Sequence, residues 1–278
     1  MRFLVFMSDN RHLDATIQSA NYNSLVACIN YEYCKKWNHD FIYYRPYLDA
    51  DSNSLYNCKD PTTKELRHAA WSKLLSSSLA HRLPYDYIVY IDSDCIFKDF
   101  NISLTNFLGH HYDKDIIFLN NKPYNYDKPC SGFYAIKTSV HSGNFLLDWY
   151  AVNMGNKNRN HAWEQDALWP IYARYNVGII DSWMFCEVED QFLRHIGTCE
   201  CSNRIPYFRA FIDRHSFNYA NTIQQIKVVE FNTNEHSEID WQKYLSRYPD
   251  LGAAGIHTRE WAIRHWIHHG RAEGRIPF

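Results

Sequence analysis

The run Tyr87-Ile88-Val89-Tyr90-Ile91, followed directly by Asp92-Ser93-Asp94, constrains this chain more than any other segment. Five consecutive β-branched and aromatic residues without polar relief belong to a central strand covered on both faces. Strands of that kind form open α/β sheets, which bind ligands at their carboxyl ends. Asp92 and Asp94 lie where this strand ends. Side chains two apart on an extended backbone point the same way, so the pair can offer oxygens to one hard cation. An isolated Asp-x-Asp also opens ordinary solvated turns; the buried strand in front of it sets this one apart. Mn²⁺ or Mg²⁺ holding a nucleotide diphosphate fits the pattern.

The chain has 278 residues, enough for one large domain or one domain with a small appendage. A net charge of −2 gives no electrostatic case for nucleic acid or an anionic membrane. Aromatic residues make up 17% of the sequence, with 21 Tyr and 9 Trp, side chains that build sugar-stacking walls as well as cores. The apolar start Phe3 to Met7 is far shorter than a signal peptide, and nothing later approaches about 18 uninterrupted apolar residues. The expectation is a soluble, non-secreted, cytoplasmic protein without a membrane span. Cys28, Cys34, Cys58, Cys95, Cys130, Cys186, Cys199 and Cys201 show no paired C-x-x-C spacing and read as free thiols.

Strand and helix patterns alternate along most of the chain. Strands are expected at Phe3–Met7, Phe41–Tyr44, Ile116–Leu119 and Gly132–Ile136, and helices at Ser19–Lys36, Lys64–His81, Asn144–Val152 and Gln165–Tyr175. That alternation predicts a mostly parallel sheet flanked by helices. Near Asn232 the pattern changes to a polar stretch and two short helices, with Ser237 and Asp240 as a capping box, Thr258 as a second cap and Gly270 as a stop. So short a segment cannot build much of a core. Its apolar residues, among them Trp241, Tyr244, Trp261 and Trp266, are expected to dock on the main domain or on another subunit.

No phosphate-loop, dinucleotide or G-x-S-x-G motif is present. Three further segments carry chemical interest. Asn121-Lys122 and Cys130-Ser131-Gly132 flank a short loop, and a glycine opening a strand lets a ligand approach the backbone. Glu164-Gln165-Asp166 stands at a helix start, where acidic residues also simply favour the helix dipole. Arg194-His195-Ile196-Gly197 puts a histidine before a glycine turn.

In order and spacing these segments resemble the GT-A-fold glycosyltransferase family of fungal Golgi α-galactosyl- and α-mannosyltransferases and plant xyloglucan xylosyltransferases. The resemblance spans Phe3 to Cys201 and includes Trp71-Ser72-Lys73, Ile91-Asp92-Ser93-Asp94, Asn121-Lys122, Trp163-Glu164-Gln165-Asp166-Ala167 and His195 followed by Gly and Cys. It implies a GT-A domain, Rossmann-like, over residues 1–232 and a helical module over 233–278. It implies a divalent metal held by Asp92, Asp94 and His195, with Ser8, Lys73, Ser93 and Gly132 joining the aspartates around a nucleotide-sugar donor, expected to be a UDP-sugar. Transfer to a glycan or other hydroxyl acceptor would retain the donor's anomeric configuration, with Gln165 beneath the reactive carbon and Glu164 and Asp166 beside it. Cys130-Ser131-Gly132 replaces the family's Asn-Ala-Gly, and the lysine that usually follows the His-Gly-Cys motif is missing. The absent anchor departs from the Golgi members and suits a bacterial or viral setting. Two rivals stand beside this reading: an inverting enzyme using Glu164 or Asp166 as base, and a non-catalytic nucleotide-sugar- or glycan-binding relative. Homodimerisation through the C-terminal helices is left open.

Overall fold

A computed structural model describes residues 1–48, 55–61, 63–152, 160–188, 191–197, 202–236, 241–258, 261–262, 265–270, 273 and 275. Eleven strands are present among them: β1 (Phe3–Ser8), β2 (Asp40–Tyr47), β3 (Tyr56–Lys59), β4 (Leu66–His68), β5 (Tyr87–Ile91), β6 (Cys95–Phe97), β7 (Ile116–Asn121), β8 (Asn125–Lys137), β9 (Val177–Ile180), β10 (Leu193–His195) and β11 (Lys227–Asn232). The helices are α1 (Tyr22–Lys36), α2 (Ser72–Ala80), α3 (Leu104–Leu108), α4 (Val140–Ala151), α5 (Trp163–Leu168), α6 (Arg204–Arg214), α7 (Tyr219–Gln225), α8 (Thr233–His236), α9 (Trp241–Arg247) and α10 (Pro249–Ala253).

Seven strands form one sheet in the order β11-β2-β1-β5-β8-β7-β9. Only the β5–β8 and β7–β8 pairings are antiparallel, so the sheet is mostly parallel as the sequence predicts. The run at β5 is buried from end to end. Its side chains alternate between two cores: Tyr87, Val89 and Ile91 point to the side covered by α1, and Ile88 and Tyr90 to the side covered by α2 and α4. β1 divides in the same way. A period of two with apolar residues on both faces is the signature of a strand between two helical layers.

All four expected helices differ in extent; the one expected over Asn144–Val152 runs from Val140 to Ala151, its start set by the Ser139–Ser142 capping box. α1 begins at Tyr22 rather than Ser19, because the Asn21 side chain accepts the Tyr22 N–H and caps the helix there. The Lys64–His81 pattern yields the β3–β4 hairpin, a 3₁₀ turn over Ala69–Trp71 and then α2. Lys64 adopts a left-handed φ of 64°, which a helix does not tolerate. Arg67 is drawn instead into the interior, where it pairs with Asp60, donates to the carbonyls of Tyr150 and Val152 and lies over Trp71. The helix expected over Gln165–Tyr175 runs instead from Trp163 to Leu168; Trp169 keeps helical dihedrals, and Pro170, with no N–H to donate, interrupts the ladder of helical hydrogen bonds.

The C-terminal helices bury Tyr244, Leu251, Ala262 and Trp266 in a small cluster of their own, against which Leu147 of α4 packs. The cluster thus meets the main domain through Leu147, whereas Trp261, also expected to dock, is 56% exposed. Thr258 accepts the Trp261 N–H as the expected cap, and Gly270 lies so close to Tyr244 that a Cβ would stand 2.3 Å from its hydroxyl. Ser237 and Asp240 lie outside the described residues, as do Cys199 and Cys201; the six described cysteines are free. No helix among the described residues is long and apolar enough to cross a membrane.

Candidate active site

Two neighbouring elements fix the acidic pair. β5 ends at Ile91, and the Asp92 N–H donates to the Gly132 carbonyl of β8. The chain then turns back, with the Cys95 N–H donating to the Asp92 carbonyl. Asp92 and Asp94 thus converge across a turn, not along the extended strand that the sequence suggested. β6 leaves this turn and pairs antiparallel with β10, placing His195 opposite Cys95. The Asn30 side chain of α1 clamps β6 by donating to the Cys95 carbonyl and accepting the Phe97 N–H.

The result is a three-residue group. His195 Nε2 stands 2.7 Å from Asp94 Oδ1 and 3.9 Å from Asp92 Oδ2. One ligand atom from each of the three residues can be chosen so that all lie within 4.8 Å of one another. Ligands on one octahedral ion at about 2.1 Å are separated by about 3 Å when adjacent and about 4.2 Å when opposite, so small adjustments suffice. Gly132 keeps the space open: a Cβ there would lie 2.8 Å from His195 Cε1 and 3.2 Å from Asp92 Oδ2. Two carboxylates and an imidazole around such a cradle suit Mn²⁺ or Mg²⁺.

Cations neutralise these acids. Lys73 of α2 places Nζ 2.8 Å from Asp92 Oδ1 and 2.9 Å from Glu164 Oε1, and the Tyr90 hydroxyl donates to the same Asp92 oxygen at 2.6 Å. Arg204 of α6 holds Asp94 Oδ2 at 2.6 Å while donating to the Ile196 carbonyl, its guanidinium lying over the Tyr22 ring. Burial alone would raise the Asp94 pKa, but His195 and Arg204 hold it below the usual carboxylate range. Burial alone would lower that of His195; the Asp94 charge and hydrogen bond hold it up to about 10. For Lys73, burial likewise opposes the charge, and Asp92 and Glu164 outweigh it. Burial wins at Glu164, whose carboxyl is pushed up despite Lys73.

On the opposite wall, α5 carries Glu164, Gln165 and Asp166 in its first turn. The Ser131 hydroxyl donates to Glu164 Oε1 at 2.9 Å, and the Ser131 N–H donates to Gln165 Oε1 at 2.9 Å. Glu164 is buried, and its Oε2 has no hydrogen-bond partner among the described residues. Gln165 and Asp166 are half-buried on the cleft surface. The cleft measures about 1240 Å³ and gathers all the residues expected to act on the donor, the metal or the sugar: Ser8, Lys73, Asp92, Ser93, Asp94, Gly132, Glu164, Gln165, Asp166 and His195. Sequence reasoning missed Arg204, Tyr90 and Ser131 as parts of this network. Arg204 follows His195 by nine residues and carried no motif, although the missing lysine was a cue to look for another cation.

A mostly parallel sheet with an acidic pair after its central strand defines the GT-A fold. A crystal structure of a glycosyltransferase involved in glycosylating the major capsid of PBCV-1 matches 76% of this chain and 100% of its own, with 14% identity and a TM-score of 0.54. The glycosyltransferase GlyE of Streptococcus pneumoniae matches over 81% of this chain and 63% of its own (12% identity, TM-score 0.44), and mouse xyloside xylosyltransferase 1 over 72% and 98% (12%, 0.39). No protein-family model and no curated protein matches this sequence.

Proposed function

We propose that this protein is a divalent-metal-dependent glycosyltransferase that moves a sugar from a nucleotide-diphosphate donor, expected to be a UDP-sugar, to a glycan or other hydroxyl acceptor. The observation that carries this reading is the convergence of Asp92, Asp94 and His195 from two separate segments at the end of β5, in a cleft whose other wall is α5. These three residues would hold the metal, which when bound neutralises charge on the leaving diphosphate. Arg204, beside Asp94, supplies a second positive group for the phosphates. Ser8, Ser93 and Gly132 line the same donor space. Lys73 holds the Asp92 carboxylate in place, and Ser131 fixes the Gln165 amide at the wall where the sugar is to lie. Residues 1–232 act as the catalytic domain and 233–278 as its helical appendage.

Retention is the preferred stereochemistry, in line with the likeness to the fungal and plant enzymes. Glu164 is fastened to Lys73 and Ser131 and is a poor candidate for a free base, so the acceptor proton passes to a departing phosphate oxygen. The inverting alternative is favoured by one observation, the half-buried Asp166 carboxylate on the cleft wall. Thermal-shift screening of UDP-sugars with Mn²⁺, followed by NMR of the product anomer, tests the proposal. An α-linked product from an α-linked donor supports retention, a β-linked product that disappears in Asp166→Asn supports inversion, and absence of any turnover leaves a binding protein.

A further inference from the structure

The rim of the cleft continues onto side chains that the proposed reaction does not use. Phe185, whose ring stands 4.6 Å from that of His195, meets Tyr124 at 5.4 Å, and on the same hairpin Tyr126 faces Trp183 edge to face at 6.0 Å. Lys122 lies between the latter two, its ammonium 5.4 Å from the Tyr126 ring and 5.3 Å from the Trp183 ring. It is ion-paired with Asp181, which also accepts from the Asn120 amide. That pair ties the turn between β7 and β8 to the segment after β9, so the rings are held in place before any ligand arrives.

Tyr124, Tyr126 and Trp183 are 62%, 54% and 37% exposed and account for three of the five exposed aromatic residues among those described. Exposed rings are thus concentrated at this hairpin, which marks a binding surface rather than incidental exposure. The chemistry selects the ligand. Flat rings match the C–H faces of pyranoses, and the Lys122–Asp181 pair offers a donor and an acceptor to hydroxyls at the ring edges. Nucleic acid would also stack here, but the 70% exposed Asp181 side chain repels phosphates. An apolar protein or lipid surface would leave both charges of the pair desolvated.

We infer that this aromatic rim is a carbohydrate-binding platform which grips an oligosaccharide acceptor by units beyond the one being glycosylated. The inference rests on the glycosyl-transfer reading for the role of the ligand, whereas the binding itself requires neither donor nor metal. Calorimetric titration of the full chain with xylohexaose, cellohexaose, maltohexaose and mannohexaose, each set against its monosaccharide, tests it. One hexasaccharide is expected to bind clearly tighter than its monosaccharide. Tyr126→Ala should weaken that binding by about tenfold and Tyr126→Phe should preserve it, since the stacking face is what counts. Failure of all four hexasaccharides to bind at millimolar concentration would overturn the inference, as would full affinity in the Tyr126→Ala, Trp183→Ala double variant. The Mn²⁺–UDP melting shift, measured in parallel on the same variants, reports on the transfer reading alone and is expected to stay unchanged.

Discussion

Arg67 and Lys73 are both buried cations set against aromatic rings and paired with carboxylates, yet their surroundings differ. Arg67 and its partner Asp60 have side-chain exposures of 0% and 1%, and the guanidinium is further bonded to two backbone carbonyls. Lys73 is similarly enclosed, but its partner Asp92 is 22% exposed at the cleft, and one oxygen of its other partner, Glu164, has no hydrogen-bond partner among the described residues. One pair closes its own electrostatic account inside the fold; the other passes an unsatisfied demand to the cleft. A sealed pair fixes the chain, whereas an open one recruits a ligand.

The largest expected effect breaks the sealed pair. Arg67→Met removes the cation that faces buried Asp60 and should destabilise the fold by about 3–5 kcal/mol, read as a lowered denaturant midpoint. Asp92→Asn or Asp94→Asn should instead leave the midpoint nearly unchanged while lowering turnover by about a hundredfold to a thousandfold; EDTA should have the same effect, and full activity in chelator would exclude the metal role. Lys73→Met should fall between the two. Turnover should drop by about tenfold or more, but with less destabilisation than Arg67→Met, because Glu164 already leans towards protonation and Asp92 reaches solvent.

The smallest effect concerns pH on the sealed side. His81 follows α2, and its Nε2 accepts the Ser139 N–H at the start of α4. Burial lowers its pKa to about 4, against about 6.5 for an unfolded histidine. Between these values the unfolded chain binds a proton that the folded chain does not, so stability is full above about pH 6.5 and is lost as pH falls towards 4. Melting temperatures from pH 7 down to pH 4.5 should show this slope, and His81→Asn should flatten it.

The fold was legible where one local signal dominated. β5 and its acidic end follow from a run with no competing reading, and the first turn of α5 was marked by three consecutive polar residues before an apolar stretch. Legibility failed where a distant contact decided. From Lys64 on, the four-residue spacing of Leu66, Ala70 and Leu74 matched that of a true helix, but Arg67 found Asp60 and the end of α4, and the chain became a hairpin. The site followed the same rule. Asp92 and Asp94 could be read directly; His195 required the family resemblance; and Arg204 required the packing of α6 against the turn, which no spacing in the sequence records.

The two-stranded ladder of β6 and β10 gives the triad an uneven footing. Asp92 follows a strand paired on both sides within a seven-stranded sheet, whereas His195 ends a three-residue strand whose one strand partner among the described residues is equally short. Openings that release short, two-stranded elements require far less free energy than those that disrupt a central sheet. The amides of β10 should therefore exchange with deuterium on a much faster clock than those of β5, so that one side of the triad is permanent and the other assembles intermittently.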